Sequence, residues 1–156
     1  MTWSYAIVNG DLSFAGPGGY ATVSGQSKLL QDLRNWLLEP RGTDPIHPDY
    51  GSTLDGGTLP DGSSADSVIG ELMTSANLLT LESEVRRVLA AYQQQQLDRI
   101  TSEAALYNGK NTFSASEILA SVDDVNIQTV ADMVFIQCVI TTADGDQTSF
   151  TQALNS

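Results

Sequence analysis

The chain has 156 residues, of which 41% are hydrophobic, enough for one domain with a real core. Its 19 acidic residues outnumber 7 basic ones, giving a net charge of −12 that repels phosphate backbones and argues against nucleic acid as a partner. No apolar run reaches the roughly 20 residues that span a bilayer, and Met1 to Val8 lacks the basic flank and long apolar core of a secretory leader, so folding in the producing cell's cytoplasm is expected.

In chain order, residues 1–23 read as a β arm. Tyr5, Ala6, Ile7 and Val8 lead into Asn9-Gly10, a pair that tolerates the positive φ of a tight hairpin, and Leu12 and Phe14 alternate with polar positions on the return. The Gly16-Pro17-Gly18-Gly19 run breaks that strand, and Tyr20, Thr22 and Val23 can extend a short third one. Residues 24–39 predict a helix. Leu29, Leu30, Leu33, Trp36 and Leu37 recur at helical spacing, Ser24 or Ser27 offers an N-cap, and Pro40 ends the helix by forcing its predecessor out of the α region.

Residues 40–64 are rich in Gly, Pro, Asp, Ser and Thr and predict a long loop, a length that in a compact domain points to function or partner contact. Helices are expected over 65–107. A short one carries Val68, Ile69, Leu72 and Met73, and a long one from Leu78 to Tyr107 carries an apolar stripe of Leu81, Val85, Val88, Leu89, Tyr92, Ile100 and Ala104. The Gln93 to Gln96 run is expected to be solvated or to face a partner. After the turn at Asn108 to Asn111, residues 112–156 are β-rich. Strands are expected over Ile118–Thr129, Met133–Thr142 and Gln147–Leu154, with Asp144-Gly145 turning between the last two. Met133 through Ile140 is so apolar that it predicts a strand covered on both faces, and Cys138 within it reads as a buried small hydrophobe. The class is α+β: an N-terminal hairpin or arm, central helices, then antiparallel strands, in one domain over 1–156.

Residues 37 to 54 carry the strongest signal. An amphipathic helix runs into Glu39-Pro40-Arg41, then Pro48-Asp49-Tyr50-Gly51-Ser52 follows, with Leu54 beyond. In this order the elements resemble the sheath-initiator, or baseplate-wedge, family of contractile phage tails, pyocin-like particles and type VI secretion baseplates. The resemblance covers about a third of the chain. It implies a fold like the inner domain of sheath subunits and a structural protein of the virion's tail baseplate, present in six copies. Its implied partners are the wedge proteins and the first ring of sheath subunits, with the tail tube as a further candidate. No cofactor, membrane or nucleic acid is implied. Glu39, Pro40, Arg41, Pro48, Tyr50 and Gly51 would bind the wedge bundle. The strands holding Tyr5, Ile7, Val134, Ile136, Thr148 and Phe150 would exchange with sheath subunits, since strand addition needs only an open edge.

The residues support attachment on their own terms. Pro40 holds Glu39 extended, positions two apart in an extended segment point the same way, and an arginine fork suits carboxylates or free carbonyls, so Glu39 and Arg41 can address one surface. The plainer alternative is a local Glu39–Arg41 salt bridge at a helix end. Two further readings rank below the sheath initiator: another tail or secretion-system adaptor without sheath contact, and, last, a lysozyme-like hydrolase. The one histidine, His47, has Asp44 and Asp49 nearby, but one His and one distant Cys fall short of a zinc site, and the chain holds no Walker loop, Gly-x-Ser-x-Gly or His-Glu-x-x-His. Glu39 with Asp44 or Asp49 could be drawn as a glycosidase pair. A catalytic carboxylate, however, needs an apolar pocket that a Gly/Asp/Ser-rich loop does not promise.

Overall fold

A computed structural model describes residues 2–8, 11–16, 19–59, 61–67, 75–130 and 133–155. The expected Asn9-Gly10 turn, Pro17-Gly18 and the short helix around Val68 to Met73 lie outside those residues.

The N-terminal arm is a branched β structure rather than one hairpin. Strands β1 (Trp3–Tyr5) and β6 (Thr22–Ser24) pair antiparallel as a stem. From the stem emerge two short hairpins, β2 (Ile7–Val8) with β3 (Asp11–Leu12) and β4 (Phe14–Gly16) with β5 (Gly19–Tyr20). Three backbone hydrogen bonds close the branch point in a ring: Ala6 N–H to Ala21 O at 2.8 Å, Ala21 N–H to Ser13 O at 2.8 Å, and Ser13 N–H to Ala6 O at 2.9 Å.

Helix α1 (Gly25–Leu38) follows, close to the expected bounds, and buries Leu29, Leu33, Trp36 and Leu37. Ser24 occupies the N-cap position without making a side-chain cap. The cap comes instead from Glu117, whose Oε1 accepts the Gly25 N–H at 3.1 Å. Strands then stand where a long loop was expected. β7 (Pro40–Arg41), β8 (Ser52–Thr58) and β9 (Ser64–Ala65) form a small sheet, parallel between β7 and β8 and antiparallel between β8 and β9. The reason is compositional: β8 reads Ser-Thr-Leu-Asp-Gly-Gly-Thr, and its two glycines mask the strand while letting another backbone come close.

Helix α2 (Ser75–Leu106) carries the expected stripe, with Leu81, Val85, Val88, Leu89 and Tyr92 in the core. The glutamine run inside it is only half solvated. Gln96 is buried, bonding the Leu119 N–H at 3.0 Å and the Glu117 carbonyl at 2.6 Å, while Gln93 donates to Ala120 O at 2.7 Å. Helical spacing turns positions 93 and 96 toward the neighbouring chain and leaves Gln94 and Gln95 outside.

A 3₁₀ turn over Ala115–Glu117 leads into an antiparallel sheet of β10 (Leu119–Val130), β11 (Met133–Thr142) and β12 (Gln147–Asn155), with β11 in the middle. Val134, Ile136, Cys138 and Ile140 of β11, with Phe150 and Leu154 of β12, meet the helices and Leu54 of β8 in one cluster. The expectation of a strand covered on both faces does not hold. Met133 and Gln137 are exposed on the outer side and Phe135 and Val139 half-buried. Their cross-strand neighbours there include Asp124, Asn126, Gln128, Ser149 and Thr151, side chains content in water. The fold is α+β, with helices and the main sheet sharing one core.

Candidate functional site

The site is built where α1 hands over to β7. Pro40 denies the helix another turn, and the free carbonyls at its end are taken up by β8: Ser52 Oγ donates to Leu37 O at 2.6 Å and Ser52 N–H to Glu39 O at 2.8 Å. Two glycines then clasp the motif backbone. A Cβ on Gly51 would lie 2.4 Å from Glu39 O, and one on Gly57 would lie 2.8 Å from both the N and the O of Arg41. Both have positive φ, 93° and 120°, so a side chain there would meet strain as well as steric conflict.

Helix α2 braces the same segment. Arg87 Nη2 donates to Gly51 O at 3.0 Å, and its guanidinium grips Glu84 at 2.7 and 2.8 Å. Glu84 also accepts the Thr53 N–H at 2.7 Å. Burial alone would raise the Glu84 carboxyl; the bonds from Arg87 and Thr53 outweigh it and hold the group below the ordinary carboxylate range.

Within this frame the expected site residues fall into two sets. Glu39 is exposed and bonded to Thr43 Oγ1 at 3.0 Å. Arg41 is only 8% exposed and reaches Asp49 Oδ1 at 2.6 Å. The two charges therefore neither pair with each other nor share an exposed surface, because the β7–β8 pairing draws Arg41 inward and leaves Glu39 at the helix end. Pro48 is exposed, Gly51 is buried, and Tyr50 is half-buried with its ring edge-on to Trp36 at 4.8 Å. Burial raises the Tyr50 hydroxyl above its usual range, and the charges of Glu39, Asp32 and Asp44 add to that.

Residues 46–50 overhang α2 across an open cleft of about 530 Å³, lined by Trp36, Arg41, Tyr50, Arg87, Ala91 and Asp98 among others. At its lip Ile46 is 79% exposed. His47 Nδ1 sits 3.0 Å from Asp44 Oδ2; that contact, with the Ile46 N–H, holds the Asp44 carboxyl below its ordinary value. Every described carboxylate whose acidity is clearly displaced is displaced downward: Asp44, Asp61, Glu84, Glu103, Glu117, Asp123 and Asp144.

Of the residues expected to exchange strands, Tyr5 and Ile7 lie exposed in β1 and β2. Val134 and Ile136 require correction. They sit in β11, bonded to a strand on both edges, with their side chains in the core, so they offer no edge. Thr148 and Phe150 lie in β12, whose far edge carries no strand among the described residues. That edge faces a groove of about 660 Å³ against α1 and the arm, lined by Ile7, Val8, Arg34, Leu38, Thr151 and Ala153 among others.

Glu117 is the residue that sequence reasoning missed. It is 2% exposed, and its carboxylate gathers the N–H groups of Thr2 at 3.0 and 3.1 Å, Gly25 at 3.1 Å and Ser114 at 2.7 Å. Burial pushes its acidity one way and the three amides push harder the other, holding it at about 2. The available signal was Ser114-x-x-Glu117, a capping-box spacing.

No known protein-family model matches the sequence, and no curated protein does. Among solved structures, the crystal structure of a Geobacter sulfurreducens protein named as a candidate tail lysozyme is similar, with a TM-score of 0.53. The likeness covers 83% of this chain and 89% of that one at 13% identity, and so speaks to the fold alone.

Proposed function

We propose that the chain is a structural protein of a phage-type contractile tail, sited in the baseplate, that docks on wedge proteins through the Glu39-Pro40-Arg41 segment. The observation that carries this reading is the rigidity of that segment. Gly51, Gly57 and Ser52 fix its backbone, Arg87 braces the neighbouring carbonyl, and what is left outside is Glu39 and the 43–49 loop. A preset, largely exposed loop beside an open cleft is suited to gripping a partner with a smaller ordering cost on binding. The likeness in fold to the Geobacter protein, which is named as a tail protein, supports this reading.

In this reading Glu39, Pro48 and the Tyr50 edge meet the wedge bundle, while Pro40, Arg41 and Gly51 hold the shape of that surface. Six copies ring the tail. The sheath-initiating step uses the free edge of β12, where Thr148 to Ala153 can accept an extended strand from the first sheath ring by backbone hydrogen bonds.

The test is Arg41→Ala. Arg41 holds Asp49 and lines the cleft, so the variant should keep its fold by circular dichroism yet leave tails without an assembled baseplate or sheath under the electron microscope. Normal tails from a folded variant would refute the anchoring role.

A further inference from the structure

The two outer strands of the main sheet are finished differently. β10 carries register shifts between Leu119 and Ser121 and between Val122 and Asp124, and Asp123 and Asp124 stand in it. Bulges and charged side chains are the usual guards that keep an outer strand from adding another chain. β12 has neither. It pairs with β11 without a shift from Gln147 to Asn155, and its sequence, Gln-Thr-Ser-Phe-Thr-Gln-Ala-Leu-Asn, holds no charge and no proline. The Ala153 carbonyl in it accepts the Gln152 side-chain amide at 2.9 Å, a donor that an incoming backbone N–H can replace. The groove beside this edge has the length of a short extended segment. Ser27, Gln31, Arg34 and Leu38 of α1 line it, with Ile7 and Val8 of the arm. From Ser27 to Leu38 the helix rises about 16 Å, which about five residues of strand would span.

Arg34 is the one charged side chain among the described residues that line this groove. Lys28, Arg41, Arg86, Arg87 and Arg99 all pair with a carboxylate; Arg34 makes no ion pair among the described residues. It is exposed, with its guanidinium 5.9 Å from the centre of the Phe150 ring in β12. We infer that the strand β12 accepts carries a carboxylate, which the Arg34 guanidinium takes and which fixes the strand's register. This rests on β12 accepting a strand, as proposed above, and adds what distinguishes one strand from another. Backbone hydrogen bonds hold any extended segment, so selection falls to a side chain, and the planar fork of an arginine suits a carboxylate. A second copy pairing β12 to β12 would bring no acidic residue in that strand.

The test titrates the full chain, labelled with nitrogen-15, with the capped peptide Val-Thr-Glu-Thr-Val and follows the amide signals by NMR. The peptide sets Val, Glu and Val on one face and reads the same in both directions, so either strand orientation is served. It should shift the amides of Thr148 to Ala153. The analogue with Gln in place of Glu should bind at least about threefold more weakly, and the Arg34→Gln chain should bind the two peptides alike. The peptide N-methylated along its backbone has no N–H to donate and should leave the β12 signals in place. Equal affinity of the two peptides for the parent chain, a Glu preference kept by Arg34→Gln, or binding of the N-methylated peptide would each overturn the inference. Shifts at β12 without a preference for Glu would sink the role of Arg34 and leave strand acceptance standing; no shifts at β12 would sink both. Neither result bears on the Glu39 segment, whose docking role is read from the Arg41→Ala tails.

Discussion

Gly51→Ala tests whether the motif backbone is truly clasped. A Cβ at this position would lie 2.4 Å from Glu39 O and 3.1 Å from Arg41 N, both backbone atoms that cannot rotate away. Holding alanine at a φ of 93° costs roughly 1–2 kcal/mol. Displacing β7 adds an overpacking cost of about 1–3 kcal/mol. Loss of the Ser52 N–H to Glu39 O bond contributes about another 1 kcal/mol. Together the substitution should destabilise the fold by about 3–6 kcal/mol. The proper control is Gly62→Ala: φ is 82° there, but nothing lies within 4 Å of the added carbon, so only the backbone strain of about 1–2 kcal/mol applies. Urea unfolding followed by circular dichroism at 222 nm, with both variants beside the parent, reads the difference. A Gly51→Ala cost no greater than that of Gly62→Ala would refute the clasp, and with it the rigidity from which the docking role is argued.

Glu117→Gln should lower stability at neutral pH by roughly 2–3 kcal/mol, since an uncharged amide replaces a carboxylate facing three N–H donors. Because the folded-state value, about 2, lies below the ordinary 4.5, the carboxylate's contribution is fully present above 4.5 and is lost as pH falls toward 2. The gap between parent and variant in urea midpoint should close over that window; a gap unchanged with pH would contradict the assignment. Gln96→Leu strands the buried Leu119 N–H and Glu117 C=O and should cost about 2–4 kcal/mol, seen as a Tm lower by roughly 5–15 °C. Burial pushes the Cys138 thiol up to about 12 and leaves it without solvent contact, so a thiol reagent at pH 8 should label it only at the rate of unfolding. Labelling within the mixing time would show that the core of β11 is open.

The regular parts of the fold were legible because their signals are local. Leu29 to Leu37 and Leu81 to Tyr92 mark one helical face each, and Asp144-Gly145 marks a turn whose glycine has φ 90°. The parts that escaped depend on contacts distant in sequence. Glu117 caps a helix that begins 92 positions earlier, and β8 can pair there because Gly57 admits the backbone of β7 at Arg41. The apolar run of β11 misled in a different way, since one face of a strand can stay rich in Phe135 and Val139 when polar neighbours flank it. For the candidate site, the sequence singled out Glu39 to Leu54 by its motif order. It could not tell that Arg41 turns inward to Asp49, because the direction of a side chain two residues past a helix end is set by the strand it pairs with.

The central claim is placement in a tail baseplate, and cryo-electron microscopy of purified tail particles made with this chain tests it most directly. The account predicts density for six copies ringing the tube beneath the first sheath ring, with the 43–49 loop against the wedge proteins and the free edge of β12 against a sheath strand. Particles that lack the chain, or that hold it only inside the tube, would contradict it.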